Sequence, residues 1–506
     1  MSDFDLIIRH GSVVTTDGVR IADLGITDGR ISALTDNLPG SAHEEIDATG
    51  LHMFPGLIDS HVHFNEPGRT EWEGIRTGSS ALAAGGGTLF FDMPLNAHPP
   101  TLDATSFDLK LRAAEASSLT DFALWGGLVP GNLDQLEALA GRGVIGFKAF
   151  MSNSGIADFA CADSATLRAG MKRAAQLGRL VAVHAESESL THQLAQARIA
   201  AGQVTIRDYL ASRPVVAELD AIRHAIDLAG ETGCALHIVH VSSGAGVALV
   251  TAARSAGADV TCETCPHYLV LTEDDVAQLG AVAKCAPPLR SAAEREHLWQ
   301  YLLAGEITTV GSDHSPAPAD LKTDANFFQV WGGISGVQHT LPLLLTEGHV
   351  HRQADLSLLA RLTATAVAER FDLPATKGRL APGADADLAL VDLRQTFTVS
   401  TDRLFYRHRQ TPYAGRVLTG TVVQTILRGQ TLFRACLRIE SGPAAVDFGG
   451  GQGGEACASP QRAVKAEPTP ANAKRRAEGP LSIIRQALKH GRIVSSPMGR
   501  LVKPRR

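Results

Sequence analysis

The chain has 506 residues, 44% of them hydrophobic and 20% charged, with a formal net charge of -6. That length can bury one large core and support a second, smaller domain, and the acidic balance gives no reason to expect a nucleic-acid partner. Seven cysteines scattered along so long a chain form no disulfide framework and favour a reducing compartment. The acidic opening Met1-Ser2-Asp3-Phe4-Asp5 and the lack of any run of 18 uncharged apolar residues predict a cytoplasmic protein with neither signal peptide nor membrane span.

From Leu6 to Ile31, short apolar runs alternate with Gly and Asp-Gly breaks, the pattern of short strands and tight turns. Such a piece is too small to hold a core alone, so it is expected to borrow strands from elsewhere. From Leu51 to Phe371 the texture becomes strand-like runs separated by stretches rich in Ala, Leu, Glu and Arg. The expected strands are Met53 to Ser60, Thr88 to Asp92, Phe122 to Gly126, Gly143 to Lys148, Leu180 to His184, Ala235 to His240, Asp259 to Cys262 and Thr308 to Gly311. That count predicts an α/β fold, a closed (β/α)8 TIM barrel. A doubly wound sheet would more often open with a glycine-rich phosphate loop between strand and helix. Gly85-Gly86-Gly87 stands before a strand instead, and reads as a tight helix-to-strand connection.

Short-strand patterning returns at Gly378, which predicts a small composite β-sandwich domain built from both termini, 1–54 and 376–433, around a barrel at 55–375. Residues 434–489 break that plan as an atypical insertion. Ser441 to Ala477 is rich in Gly, Pro and small polar residues, has little to bury, and is expected to be largely disordered. Leu481 to Leu488 suits a short helix, and 490–506 is expected to return to the sandwich. From Ser441 onward there are 12 Lys+Arg against 4 Asp+Glu. A solvated linker, or self-association with the acidic body, is the blander account of that charge, and contact with an acidic partner is the sharper one.

The chemistry gathers around Pro55-Gly56-Leu57-Ile58-Asp59-Ser60-His61-Val62-His63. Alternation along the strand sends His61 and His63 to one side, where two imidazoles can converge on one metal ion. Lys148, His184 and His240 stand at the ends of other expected strands, with the active-site loops of a barrel. Either histidine alone fits a satisfied core residue; four at three strand mouths suit zinc and its neighbours. Lys148 can contact substrate, reach solvent, or, carbamylated by carbon dioxide, become an anionic bridge between two metals. Asp313 closes the eighth strand as a general base or as a helix cap. Glu186 can orient a ligand, His267 sits in a loop that can lie over the pocket, and His237 and His314 are left outside the ligand set. Cys262 and Cys265 lack the second pair a zinc finger needs and read as packing residues.

With these residues in view, the chain resembles the cyclic amidohydrolases, the dihydroorotase and hydantoinase-like family. The resemblance is carried by PGLIDSHVHFNEPGRTEW (Pro55 to Trp72), Met93 to Asn96 with Pro99-Pro100-Thr101, ETCPHYL (Glu263 to Leu269), KCAPPLR (Lys284 to Arg290), SDHSP (Ser312 to Pro316) and WGGISGVQ (Trp331 to Gln338). It runs from about residue 5 to 433 and resumes from His490 to Pro504. It implies two divalent metal ions per subunit, zinc as a rule. His61, His63 and Asp313 would hold one, His184 and His240 the other, and a carbon dioxide-derived carbamate on Lys148 (N6-carboxylysine) would bridge them. It further implies Asp313 as the catalytic base, a small-molecule cyclic ureide as substrate, and a homo-oligomer, a tetramer among relatives. Dihydroorotases typically carry Arg where this chain has Asn65, which suits an uncharged ring. Asn96 and the backbone at Ala286 and Gly332 would complete the substrate contacts. The insertion is a departure, since relatives pass almost directly from the strand at Gly429 to Phe433 into the Gly-Arg-Ile-Val segment.

Overall fold

The computed structural model describes residues 2–435, 492–494 and 497–505. The strands in chain order are Phe4–Thr15 (β1), Gly18–Thr27 (β2), Arg30–Thr35 (β3), Ala42–Asp47 (β4), His52–Pro55 (β5), Leu57–Val62 (β6), Gly87–Asp92 (β7), Asp121–Leu124 (β8), Gly126–Gly127 (β9), Phe147–Phe150 (β10), Val181–His184 (β11), Leu236–Ile238 (β12), Val260–Thr264 (β13), Thr309–Val310 (β14), Leu388–Thr398 (β15), Val417–Leu427 (β16), Gln430–Arg434 (β17) and Arg492–Ile493 (β18).

Strands from both ends of the chain share one nine-stranded sheet, in the order β18-β17-β16-β15-β5-β1-β2-β3 with β4 on β1. The stitch is β5, parallel to β1 at Ser12 and His52 and antiparallel to β15 at Met53 and Leu390. Met53 to Ser60, expected as one strand, is therefore two. Gly56 turns the chain between sheets, its N–H donating to Asp387 O at 2.9 Å while a β-carbon there would lie 2.2 Å from Thr88 Oγ1.

The middle of the chain alternates strands and helices. Parallel strands form two sheets, β6-β7-β8 and β9-β10-β11-β12-β13-β14, and helices such as Ile75–Ala84, Ala104–Ser117, Val215–Thr232 and Gly244–Ser255 connect them, an α/β arrangement of the TIM-barrel type. Only Trp125 separates β8 from β9, and Val62 at the end of β6 pairs in parallel with His314 beyond β14. The expected strand at Gly143 to Lys148 lies later, as β10, so Lys148 is inside a strand and not at its end. The glycine run behaves as expected: helix Ile75–Ala84 passes directly into β7 through Gly86, whose φ of 90° is strained for any residue with a β-carbon. Beneath the strand mouths, Phe91 and Trp125 meet Phe371 edge to face at 5.1 and 5.5 Å, among buried Ile58, Leu89 and Ile145.

The described C-terminal residues touch both sheet systems. Arg492 pairs with Arg434, which returns the chain to the nine-stranded sheet, but Leu501 pairs with Phe122 of β8 and Val502 N–H donates to Phe122 O at 2.7 Å. Residues 497–505 thus also line the parallel sheet. A buried ionic cluster fastens this junction: Lys377 Nζ lies 2.7 Å from both Asp121 and Asp387 and 3.0 Å from Asp385, and Arg428 pairs with Asp121 at 2.6 Å. Apart from Arg434 and Ala435, the expected disordered insertion 434–489 and its short helix lie outside the described residues.

Candidate metal centre and substrate site

The two histidines of the opening motif are held in defined tautomers. His63 Nδ1 lies 2.6 Å from the carbonyl of Leu95, so Nδ1 carries the proton and Nε2 keeps its lone pair. His61 Nδ1 lies 2.8 Å from Glu263 Oε1, which likewise frees its Nε2. Both free nitrogens face Asp313 Oδ1, at 3.3 Å from His61 and 3.5 Å from His63. One ligand atom from each of the three lies within 4.8 Å of the others, a donor set of two imidazoles and a carboxylate.

Asp313 reaches this position because β6 holds the loop that follows β14. The buried Asp59 carboxylate accepts from Ser312 N–H at 3.0 Å and from His61 N–H at 3.2 Å, and His63 N–H donates to His314 O at 2.8 Å. Burial pushes Asp59 up to about 7. Asn65, His240 and Asp313 adopt φ of 63°, 40° and 45°, a left-handed conformation uncommon outside glycine and concentrated at functional sites.

A second pair stands beside the first. His184 Nδ1 and His240 Nε2 are 3.1 Å apart, and the rings of His61 and His240 are 5.4 Å apart. His184 is oriented from behind: its Nε2 lies 2.8 Å from Glu186 Oε2, and Arg213 holds that carboxylate at 2.6 Å. Lys148 is fully buried, its Nζ lying 5.0 Å from the Phe150 ring, which stacks on His184 at 4.6 Å. Burial pushes the Lys148 ammonium down to about 7. Lys148 Nζ and His240 Nδ1 are both buried without a hydrogen-bond partner. Orphaned buried nitrogens beside free imidazole lone pairs are costly unless something ligates them, so the residues present fit a metal centre.

Of the expected substrate contacts, Asn65 and Asn96 come together, with Asn96 Nδ2 donating to Asn65 Oδ1 at 3.3 Å and Asn65 Nδ2 donating to Pro316 O at 3.3 Å. Ala286 and Gly332 are half-buried, on two loops joined by a 2.7 Å bond from Gly333 N–H to Lys284 O. His314 stays out of the cluster, its Nδ1 accepting from Gly336 N–H at 3.1 Å. His237 is likewise outside the ligand set: its Nδ1 lies 2.8 Å from Thr261 Oγ1, and its Nε2 faces Glu263 Oε2 at 4.0 Å. Cys262 and Cys265 are free and buried, and burial pushes the Cys262 thiol up to about 12. What sequence reasoning missed is Glu263, which braces His61; a lone carboxylate in the apolar run from Val260 to Leu271 was its signal.

The sequence profile of the amidohydrolase family matches residues 52–432. The chain belongs to that family. It is 58% identical over 444 residues to the allantoinase of Rubrobacter xylanophilus, an alignment covering 88% of this chain and 97% of that relative. To the allantoinase of Deinococcus radiodurans it is 54% identical over 430 residues, covering 85% and 95%. Among solved structures it is similar to the L-hydantoinase (dihydropyrimidinase) of Arthrobacter aurescens, with a TM-score of 0.83 and 35% identity over 85% of this chain and 96% of that one. As a member of the family it is a hydrolase of cyclic amides. Among the described residues no helix is long and apolar enough to cross a membrane.

Proposed function

We propose that the protein is an allantoinase, which opens the hydantoin ring of allantoin by hydrolysis to give allantoate in purine catabolism. The observation that carries this reading is the convergence of His61, His63 and Asp313 beside His184, His240 and the unpartnered Lys148 Nζ, in a chain 58% identical to a curated allantoinase. The substrate assignment leans on Asn65, because an amide at that position offers neutral hydrogen bonds to a ring that bears no carboxylate.

In this reading the two parallel sheets, joined through Val62 and His314, are one closed (β/α)8 barrel over 55–375, and 1–54 and 376–433 make the composite β domain. Residues 434–489 are an insertion between paired strands, and 490–506 completes the fold. The active unit is a cytoplasmic homotetramer.

His61, His63 and Asp313 would hold one divalent ion, zinc as a rule, and His184 and His240 a second, with Lys148 carrying the bridging carbamate. Such a pair would supply Lewis acidity toward a water and toward a ring carbonyl. The chain's own groups do the rest. Asn65 and Asn96, with the backbone at Ala286 and Gly332, orient the ring so that one carbonyl faces the attacking water. Asp313 takes the proton of that water at a carboxylate oxygen and delivers it to the ring nitrogen as the C–N bond breaks. Glu263 and Glu186 keep His61 and His184 in the tautomers that leave their ligating nitrogens unprotonated. The apolar floor of Phe91, Trp125 and Phe371 keeps bulk water from the strand side of the site.

The test is hydrolysis of racemic allantoin by purified protein of recorded metal content, with hydantoin, dihydrouracil and dihydroorotate in parallel. Selective formation of allantoate with about two ions per chain, the number two-metal sites use, supports the assignment. A metal-loaded protein that opens hydantoin or dihydrouracil but not allantoin makes it a hydantoinase or dihydropyrimidinase. A protein inert on every ring after zinc and bicarbonate are supplied is a non-catalytic relative.

A further inference from the structure

Two lysines stand where a purely structural loop needs none. Lys284 is 4% exposed, and its Nζ donates to Phe327 O at 2.6 Å and to Val330 O at 2.5 Å. Its ammonium sits 4.4 Å from the Tyr209 ring centroid and 5.1 Å from that of Phe327. Lys322 Nζ donates to Gly333 O at 2.9 Å, Ala281 O at 3.2 Å and Trp331 O at 3.3 Å. Among the described residues neither lysine has a carboxylate partner. Burial, with Arg213 nearby, pushes Lys284 down to about 7, and burial pushes Lys322 down to about 8.

Burying a cation without a counter-charge is unfavourable, as breaking a buried ion pair is. The return is visible in what these ammoniums collect. Phe327, Val330, Trp331 and Gly333 belong to an irregular stretch whose carbonyls find no ladder of their own. The same Lys284 lends its main-chain oxygen to Gly333 N–H at 2.7 Å. It stands two residues before Ala286, in a turn that two phenols also fasten: Tyr209 Oη donates to Cys285 O at 3.0 Å and Tyr268 Oη to Pro287 O at 2.6 Å. One side chain and its own backbone therefore lock the loop after β14 to the loop after β13.

We propose that Lys284, backed by Lys322, is a positioning residue for ring binding: it sets the Trp331–Gly333 backbone and the Cys285–Pro287 turn in one register, so that Gly332 and Ala286 grip a cyclic ureide as a single unit. This rests on the ring-contact assignment of the allantoinase reading. Lys284 touches neither the metal ligands nor the reacting carbonyl; it acts through the two backbones.

The experiment compares wild type with Lys284→Met and Lys322→Met, the second being the milder change should the first fold poorly. Three quantities are read: metal content, kcat and KM on allantoin, and amide hydrogen exchange of peptides covering 319–334 against those covering the parallel strands. The expected result for Lys284→Met is full metal content, KM raised at least tenfold with kcat within threefold, and faster exchange confined to 319–334; Lys322→Met gives the same pattern more weakly. A KM within twofold of wild type with unchanged loop exchange overturns the proposal. So does a fall in kcat at constant KM with faster exchange throughout, the mark of a merely structural lysine. If wild type ignores allantoin but opens hydantoin or dihydrouracil, the substrate reading has failed. The same KM criterion on the accepted ring, together with the exchange data, then decides the lysine clasp.

Discussion

Replacing Glu263 probes the metal centre from behind. Its Oε1 lies 2.8 Å from His61 Nδ1 and its Oε2 accepts from Ser60 Oγ, so the carboxylate fixes both the tautomer and the tilt of one ligand. Burial works to raise its pKa, yet the facing imidazoles of His237 and His61 hold it well below the usual carboxylate range. Losing such an outer partner typically costs about 10–100-fold in metal affinity, or roughly 1.4–2.7 kcal/mol. Glu263→Gln retains an oxygen that can accept from His61 and is expected near tenfold. Glu263→Ala removes the acceptor and is expected near a hundredfold. The assay is competitive titration of metal-free protein with zinc against a chromophoric chelator, with melting of the metal-free form as control, since orphaning Ser60 and His61 also costs about 1–3 kcal/mol of folding stability. On the proposed ligand assignment the weakened ion is the one at His61 and His63, and the His184 and His240 site, braced by Glu186, stays within a fewfold of wild type. Zinc binding by Glu263→Ala within twofold of wild type at both sites would refute this reasoning.

Three further outcomes are expected. If Asp313 is the base the proposed mechanism makes it, Asp313→Asn keeps one oxygen for the metal but loses the base, so kcat falls by about 10²–10⁴ while metal is largely retained, read by turnover alongside metal analysis. Lys377→Met leaves Asp121 and Asp387 short of a cation at the junction of the two sheet systems and costs about 3–5 kcal/mol at neutral pH by chemical denaturation. Asp387, Asp121 and Asp385 raise the Lys377 pKa above its ordinary value against the effect of burial. Its stabilisation is therefore complete below the unfolded lysine value of about 10.4 and fades as pH rises through the higher folded value, so the gap between variant and wild type should narrow only in strong alkali. Finally, Arg434 and Arg492 are antiparallel partners, so an Asn-Gly turn can join them in place of 435–491. The shortened protein should keep kcat and KM within twofold, and a larger loss would assign the insertion a part in catalysis or assembly.

The sequence by itself determined the succession of strands, the register of His61 and His63, and the set of strand-end residues worth testing. Each depends on local chemistry: strand alternation, glycine breaks, and imidazoles at the edge of apolar runs. The motifs quoted above carried the family in the same way. Tertiary structure decided what those residues face. Glu263 is 202 positions from His61 in sequence, and only the tertiary placement of β13 near β6 makes it that histidine's partner. The split of Met53 to Ser60 into two strands lies in distant pairing, β5 with β1 and β15 and β6 with β7, none of it adjacent in sequence. The path of Leu501 along Phe122 and the meeting of Lys284 with Phe327 and Val330 were also illegible, because an isolated lysine or a short apolar tail has no period that names its neighbour. Local patterning specifies elements and chemical type; the pairing of distant groups follows only when the core closes and each buried polar atom must find a partner.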